Sequence, residues 1–526
     1  MKLTEMPIFF FDLQTTGAKP ESGAAILEMA WTSATGETEA SLIKLPNEEK
    51  IPYRIQMITG IYNDDMDAAN SADAVFATLE EKFANHRCVI HFAQFEKPFL
   101  VHQYARFEKE FPFEILCTHE IAKRLFPNLP TRGIKGLAGY FGYPSQDLKR
   151  AAQQTAATKA IWTGLIAELG KKGIETWEQL QEWLNVTPKV SRTKYEYPLQ
   201  KEKRLTLPDQ PGVYRMISKW DEILYVGKAT SLKDRVNSYF RGQKNRDSRK
   251  LEMLTQVYDL RVTVCGSPLE AALLETDEIK KWDPRYNISL KAGQRNVIFF
   301  NHEMTDIDCE QSAEFSIGPF SSSLVFDSIR NLRECLVNEK FHDNVFYEPI
   351  DAKLVEEGFK LFCERNSFDP ETFKSVRNML ALGLWWNREY DLLEDEEDLE
   401  TDELVAPDED LSADELDEII ELTTEDIADK FERHIMRAGR TYARAKELTR
   451  ILNADISYMP ADSEIETPYQ VKVRGGFITP EASRDRIPKV SLWNGLTIDT
   501  YDRMSVLLME LGKVRTQEGT VEIQYR

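Results

Sequence analysis

The chain has 526 residues, 42% of them hydrophobic and 29% charged, long enough for three or four domains with cores of their own. No apolar run is long enough to span a bilayer, and no cleavable leader is expected after Met1. Six scattered cysteines without a Cys-x-x-Cys pair argue against a disulfide scaffold or a structural zinc site and point to a reducing cytoplasm. The formal charge of −22 argues against a uniformly basic surface, but residues 391–429 alone hold 20 Asp and Glu and no Lys or Arg.

The first 185 residues alternate strand and helix signals. Ile8-Phe9-Phe10-Phe11 is an apolar strand running into Asp12 and a turn at Gly17. Further strands are predicted over Ile26–Thr32 and Val89–Ala93, and helices over Ala74–Phe83, Leu148–Leu165 and Trp177–Leu184. The pattern predicts an α/β domain with a mixed sheet. Four pieces, namely residues 11–17, 59–61, 91–100 and 150 onward, together resemble the DEDDh exonucleases of the polymerase III epsilon type, which have an RNase H-like fold.

That resemblance implies a two-metal site, but its ligands are altered here. Asp12 matches the first family aspartate and Gln14 replaces the glutamate that follows it. Glu96 stands for the second-motif aspartate, Lys149 for the histidine and Gln154 for the last aspartate. Glutamine carries no charge and lysine repels cations, so two-metal binding loses most of its electrostatic basis. The expectation is a degenerate domain that no longer cuts. His91 and His119 read as structural residues, not as replacement bases.

Residues 186–206 read as a linker. Residues 207–290 carry the densest chemistry. Gly212 to Met216 alternates as a strand, and Ile223–Val226 forms a second one across a charged turn at residues 219–222. Gly227 is expected to end that strand and to allow close backbone approach. Ser231 is placed to cap a helix bearing Arg235 and Tyr239 on one face. Glu275 falls within a helix predicted over Glu270–Lys281. Cutting a phosphodiester requires an activated water, a stabilised pentavalent phosphate and a neutralised leaving oxygen. A carboxylate can hold a divalent cation, a guanidinium can pair with phosphate oxygens, and phenols can relay protons.

Gly212-Val213-Tyr214, Tyr225-Val226-Gly227, Arg235, Tyr239, Glu275 and the Pro-Arg-Tyr-Asn ending at Asn287 arrive in order. The stretch resembles the GIY-YIG nuclease domain of the UvrC excision-repair type. The resemblance implies a small α+β fold and catalytic roles for Tyr214, Tyr225, Arg235, Glu275 and Asn287. Glu275 would be the metal ligand for Mg2+ or Mn2+, and Lys228 and Tyr239 would support the site. Asp277 departs from the asparagine frequent in related sequences. A basic cluster of Arg241, Lys244, Arg246, Arg249 and Lys250 is a candidate DNA-binding track.

The expected architecture is multidomain α/β and α+β. It comprises an exonuclease-like domain at 1–185, the linker, a GIY-YIG domain at 207–290, an α+β region at 291–390, an acidic linker at 391–423 and an α+β region at 424–526. In the fourth part, a strand is predicted at Asn296–Phe300 and helices over Val325–Val337 and Thr372–Leu382, with the Trp385-Trp386 pair assigned to core packing. The last part predicts a long helix from Thr424 to Leu452, strands at Tyr469–Val473, Ile478 and Thr520–Gln524, and a helix over Met504–Leu511. The function expected is a metal-dependent DNA endonuclease making single-strand incisions in repair. The alternatives are a non-catalytic DNA-binding scaffold and a residual 3'-5' exonuclease. DNA and other repair proteins are the expected partners, with no membrane; the oligomeric state is not encoded in these motifs.

Overall fold

A computed structural model describes residues 1–46, 49–144, 148–186, 195–241, 247–287, 295–346, 350–389, 422–461, 467–479 and 493–526. The acidic block therefore falls almost wholly outside the described residues, as do Lys244 and Arg246. No helix among the described residues is long and apolar enough to cross a membrane.

The first domain is built on β1 (Ile8–Thr15), β2 (Ile26–Ser33), β3 (Glu39–Leu42), β4 (Arg87–Ile90) and β5 (Ile115–Cys117), in the order β3-β2-β1-β4-β5. β1 pairs antiparallel with β2 and parallel with β4, giving the mixed sheet. The apolar run in β1 serves both faces by the two-residue period of a strand. Phe9, Phe11 and Leu13 enter one core with Leu79 and Phe99, while Ile8 and Phe10 enter another with Ile161 and Leu165.

β4 stops at Ile90, short of the predicted Ala93. Phe92 takes a left-handed conformation (φ 62°) and opens α1 (Ala93–Arg106), which carries Glu96. α2 (Ile134–Tyr140) follows, and α3 (Ala151–Lys171) lies along β1 and β2. α3 begins three residues later than its spacing suggests. The Gln153 side chain folds back to accept from the amides of Lys149 and Arg150, which fixes the start.

The end of the predicted linker packs with the central unit. Leu199 is buried in its core, and the Asn237 side chain both accepts from the Arg204 guanidinium and donates to the Arg204 carbonyl. The central sheet comprises β6 (Gly212–Ser218), β7 (Ile223–Ala229) and β8 (Val257–Val264), antiparallel in the order β7-β6-β8. β7 runs through Gly227 to Ala229 instead of ending at the glycine. α4 (Leu232–Ser238) is capped by Ser231, whose hydroxyl accepts from the Asp234 amide at 3.2 Å. α5 (Ser248–Gln256) and α6 (Pro268–Trp282) complete the unit. α6 starts two residues before its prediction because Ser267 caps it and Pro268 occupies its first position.

α5 packs against α2 of the first domain. A Cβ on Gly139 would lie 1.7 Å from Gln256 Oε1, so any larger residue there must push the Gln256 amide from its place. The same Gln256 bonds Tyr286 and Arg285, which lead directly into Asn287.

β9 (Ile298–Asn301), β10 (Ile307–Asp308) and β11 (Phe315–Phe320) form a small antiparallel sheet. It adjoins helices at Leu324–Val337, Ala352–Asn366 and Val376–Glu389, with α7 (Thr424–Arg450) alongside. The helix predicted over Thr372–Leu382 is divided: a 3-10 turn covers Pro370–Lys374 and the α-helix begins at Val376. Of the tryptophan pair, Trp386 is buried beside Phe362 and Phe368, while Trp385 is exposed.

β12 (Asn453–Met459), β13 (Tyr469–Arg474), β14 (Phe477–Thr479) and β15 (Thr520–Tyr525) make the last sheet, in the order β14-β13-β12-β15, covered by α8 (Ile498–Thr516). Its core takes in Leu269 of α6 together with Leu507 and Leu511 of α8, and Leu273 packs against it. The C-terminal region and the central unit thus share buried apolar surface.

Candidate active site

Two strands and two helices bring the site together. Tyr214 lies opposite Gly227, and Tyr225 lies opposite Met216, so the two phenols sit diagonally on one face of β6 and β7. Their ring centroids are 6.1 Å apart. Tyr239, at the end of α4, closes the triangle at 6.1 Å from Tyr214 and 6.3 Å from Tyr225. The Tyr214 and Tyr239 hydroxyls are hydrogen-bonded at 3.0 Å. Gly227 makes the packing possible, because a Cβ there would meet Tyr214 Oη at 2.4 Å.

Arg235 stands one helical turn before Tyr239, its guanidinium carbon 5.7 Å from that ring. Burial pushes the Tyr214 and Tyr225 phenols well above their usual range, and the neighbouring phenols add to the shift. Both therefore stay neutral at physiological pH. For Arg235, partial burial works against the charge, but the surrounding tyrosines outweigh it and the guanidinium stays charged.

Glu275, in the middle of α6, faces the end of β7. Its Oε1 accepts from the Lys228 amide at 2.8 Å. Burial pushes its carboxyl up to about 7, against the pull of Lys228. Its field reaches Tyr225, which joins the carboxylate to the tyrosine cluster. Asn287 is placed differently. Its amide accepts from the Val226 N–H and donates to the Val226 carbonyl, both at 2.9 Å, as a paired strand would. It anchors β7 from outside the tyrosine face.

A model described as UvrC-like GIY-YIG domain matches residues 210–288, the same span that holds this arrangement. The central unit is a GIY-YIG domain of the UvrC type. A second model, described as Exonuclease, matches residues 9–156, so the GIY-YIG domain is fused to an exonuclease-type domain. A Mycobacterium tuberculosis protein named a bifunctional exonuclease/endonuclease is 30% identical over 300 residues, covering 55% of this chain and 45% of that one. UvrABC system protein C of Clostridioides difficile is 46% identical over 85 residues, covering 16% of this chain and 14% of that one. The N-terminal endonuclease domain of Thermotoga maritima UvrC, solved with magnesium, is 33% identical, with a TM-score of 0.16 over 17% of this chain and 94% of that one. The chain spans less than half the length of the curated relatives it matches.

Sequence reasoning missed two groups beside the GIY-YIG domain. Glu510 of α8 accepts from Lys228 Nζ at 2.6 Å, and Arg503 of α8 pairs with Asp277. The only signal was helical spacing of Asp499, Asp502, Arg503 and Glu510 along one face of α8. The basic cluster is dispersed in role. Arg249 donates to the Arg285 carbonyl at 3.3 Å, while Arg241 and Lys250 are exposed.

In the exonuclease-type domain, Asp12 and Glu96 come together, and Glu28, absent from the motif reading, joins them. Gln14 donates to Asp12 Oδ2 at 3.4 Å. Arg150 binds both Glu28 oxygens at 2.6–3.1 Å, and the Ala151 amide adds a bond of 2.9 Å. Gln154 is turned to the Leu148 carbonyl, and Lys149 lies in the turn before α3. Glu96 Oε2 is buried, and no hydrogen-bond partner for it is found among the described residues. Among the described residues, no group of three or more His, Cys, Asp or Glu side chains is arranged to hold a metal ion. His91 is buried, bonded to Thr118 Oγ1 at 2.8 Å, and pushed down to about 3 by burial and by His119, so it stays neutral.

Burial and Glu28 raise the Asp12 carboxyl well above its usual value. A raised acid binds its proton more tightly when folded, so it opposes folding increasingly as pH climbs from the unfolded value through the folded one. Asp12→Asn removes that opposition. Its melting temperature is expected to exceed the wild type at pH 8, with the gap closing towards pH 4, as read by calorimetry. Equal curves at both ends of the range would refute the buried-charge account.

Proposed function

We propose that the protein is a metal-dependent DNA endonuclease that hydrolyses a phosphodiester bond in one strand during DNA repair, with its reaction in the GIY-YIG domain. The observation that carries this reading is the approach of Tyr214, Tyr225, Tyr239, Arg235 and Glu275 at one end of β7. Glu275 fits a cation holder, since one oxygen is fixed by the Lys228 amide and no protein hydrogen bond to the other is found among the described residues. A single carboxylate suits Mg2+ or Mn2+, which keep several waters. When bound, the cation supplies Lewis-acid stabilisation of the charge that builds on the phosphate.

The remaining chemistry belongs to the chain. Arg235 pairs with the non-bridging phosphate oxygens in a two-pronged contact that only a guanidinium provides. Tyr214 and Tyr225, being neutral, orient water and pass a proton through hydrogen bonds; they do not act as phenolates. Tyr239 holds Tyr214 in register, Lys228 fixes Glu275, and Asn287 holds β7. Arg241 and Lys250, with Lys244, Arg246 and Arg249, are proposed to follow the DNA backbone, although the Arg249 contact to Arg285 competes with that role. The exonuclease-type domain is proposed to position DNA without cutting, because Gln14 and Gln154 add no charge and Arg150 already neutralises Glu28. The division at 185, 206, 290, 390 and 423 is retained as the domain proposal, with the tail of the linker joined to the nuclease.

The test incubates purified protein with nicked, bubbled and lesion-bearing duplexes and Mg2+ or Mn2+, beside Glu275→Ala and Asp12→Ala. Loss of cutting only in Glu275→Ala supports this reading. Loss only in Asp12→Ala supports a residual 3'-5' exonuclease. Binding without cutting by any form supports a scaffold.

A further inference from the structure

When ionised, Glu275 carries one negative charge, yet two ammonium groups lie in its field. Lys228 and Lys513 both act on it, and Lys228 also supplies the amide that fixes Oε1. A carboxylate facing two ammoniums gives a local balance that repels a divalent cation. Glu510 changes that balance. Its Oε1 lies 2.6 Å from Lys228 Nζ and 3.7 Å from Lys513 Nζ. Its side chain is only 12% exposed, so solvent and salt screen the group weakly.

Glu510 is also held firmly in place. α8 runs antiparallel beside α6, with Asp499 and Asp502 each 2.6 Å from Lys280 and Arg503 paired with Asp277 further along. Leu507 and Leu511 of α8 share a buried core with Leu269 of α6. This contact is a packed interface with Glu510 at its nuclease end.

We infer that Glu510, contributed by the C-terminal region, is a positioning residue that neutralises Lys228 and so lets Glu275 hold a divalent cation. The inference rests on the reading of Glu275 given above. It assigns α8 to the completion of the nuclease centre, so the GIY-YIG domain alone lacks part of its electrostatics.

The test measures Mn2+ affinity of the full chain by titration calorimetry, at one pH and low ionic strength and without DNA. Glu510→Gln keeps the shape and removes the charge, and is expected to weaken Mn2+ binding about tenfold. The double variant Glu510→Gln/Lys228→Met is expected to regain most of that loss, because the nearer of the two ammoniums that Glu510 offsets is gone. A purely structural ion pair predicts no regain, since the pair is broken in both proteins. Lys228→Met alone leaves Glu510 with only the more distant Lys513, 3.7 Å away, and is expected to bind Mn2+ at least as tightly as the wild type. That arm stands even if Glu510→Gln fails to fold.

Unchanged affinity in Glu510→Gln, with binding lost in Glu275→Gln, overturns the inference while leaving the proposed cation site intact. Wild-type affinity in Glu275→Gln overturns both.

Discussion

Glu275→Gln is expected to lower cation-dependent DNA cutting about 1000-fold, the scale on which a preorganised stabilising group acts. The substitution isolates charge from shape. Glutamine still offers an oxygen to the Lys228 amide, so the junction between β7 and α6 persists. Burial already disfavours the ionised carboxylate, whose pKa is pushed up to about 7. The neutral amide is therefore expected to fold at least as stably as the wild type at pH 8. Stability retained with cutting lost is the signature of a lost cation anchor. The measurement is nicking of supercoiled plasmid over a range of Mg2+ concentrations, beside thermal unfolding of the same samples. Cutting by the variant within tenfold of the wild type at saturating Mg2+ would sink the assignment.

The β6–β7 hairpin was legible because its alternation is local and a charged turn separates the strands. The helix of Glu275 was equally legible, apart from a start set by Ser267 and Pro268. β8 was not. Its sequence, Val257-Tyr258-Asp259-Leu260-Arg261-Val262-Thr263-Val264, follows α5 without a turn residue, and no glycine or proline marks the change of period. Partners across long stretches of chain were also invisible. Glu510 lies 282 residues from Lys228, and only the folding of α8 onto α6 brings the two together. Glu28 escaped the motif reading for a related reason. It sits opposite Gln14 in the β1–β2 register, a neighbour in the sheet but not along the chain. The motif identified which side chains carry chemistry, and the charges that tune them came from tertiary packing. The same division holds in the exonuclease-type domain, where Arg150 now occupies Glu28.

Gly227→Ala is expected to destabilise the protein by about 3 kcal/mol, at the upper end of ordinary overpacking costs, and to reduce cutting by at least about 100-fold. The cause is space, since Gly227 lies within β7 and needs no unusual backbone conformation. A Cβ at this position meets Tyr214 Oη at 2.4 Å, Tyr214 Cζ at 2.5 Å and Tyr225 Cε1 at 2.8 Å. Tyr214 cannot retreat, because its side chain is fully buried and its hydroxyl is bonded to Tyr239. Tyr225 is itself packed against Tyr214 and Tyr239, with Glu275 near it. The added methyl must therefore push apart β6 and β7 or break the tyrosine triangle, and either movement displaces the groups proposed to hold water and phosphate. Displacements of about 1 Å near a reacting centre cost on the order of 100-fold in rate. Urea unfolding and plasmid nicking of the same variant read the two effects separately. Ala229, two residues along and on the same face of β7, is the control: its methyl is already accommodated in the core, so Ala229→Gly should lower stability through lost packing while leaving the tyrosine triangle in place. If Gly227→Ala instead folds and cuts like the wild type, the phenols do not close over β7, and the chemistry assigned to them has to be placed elsewhere.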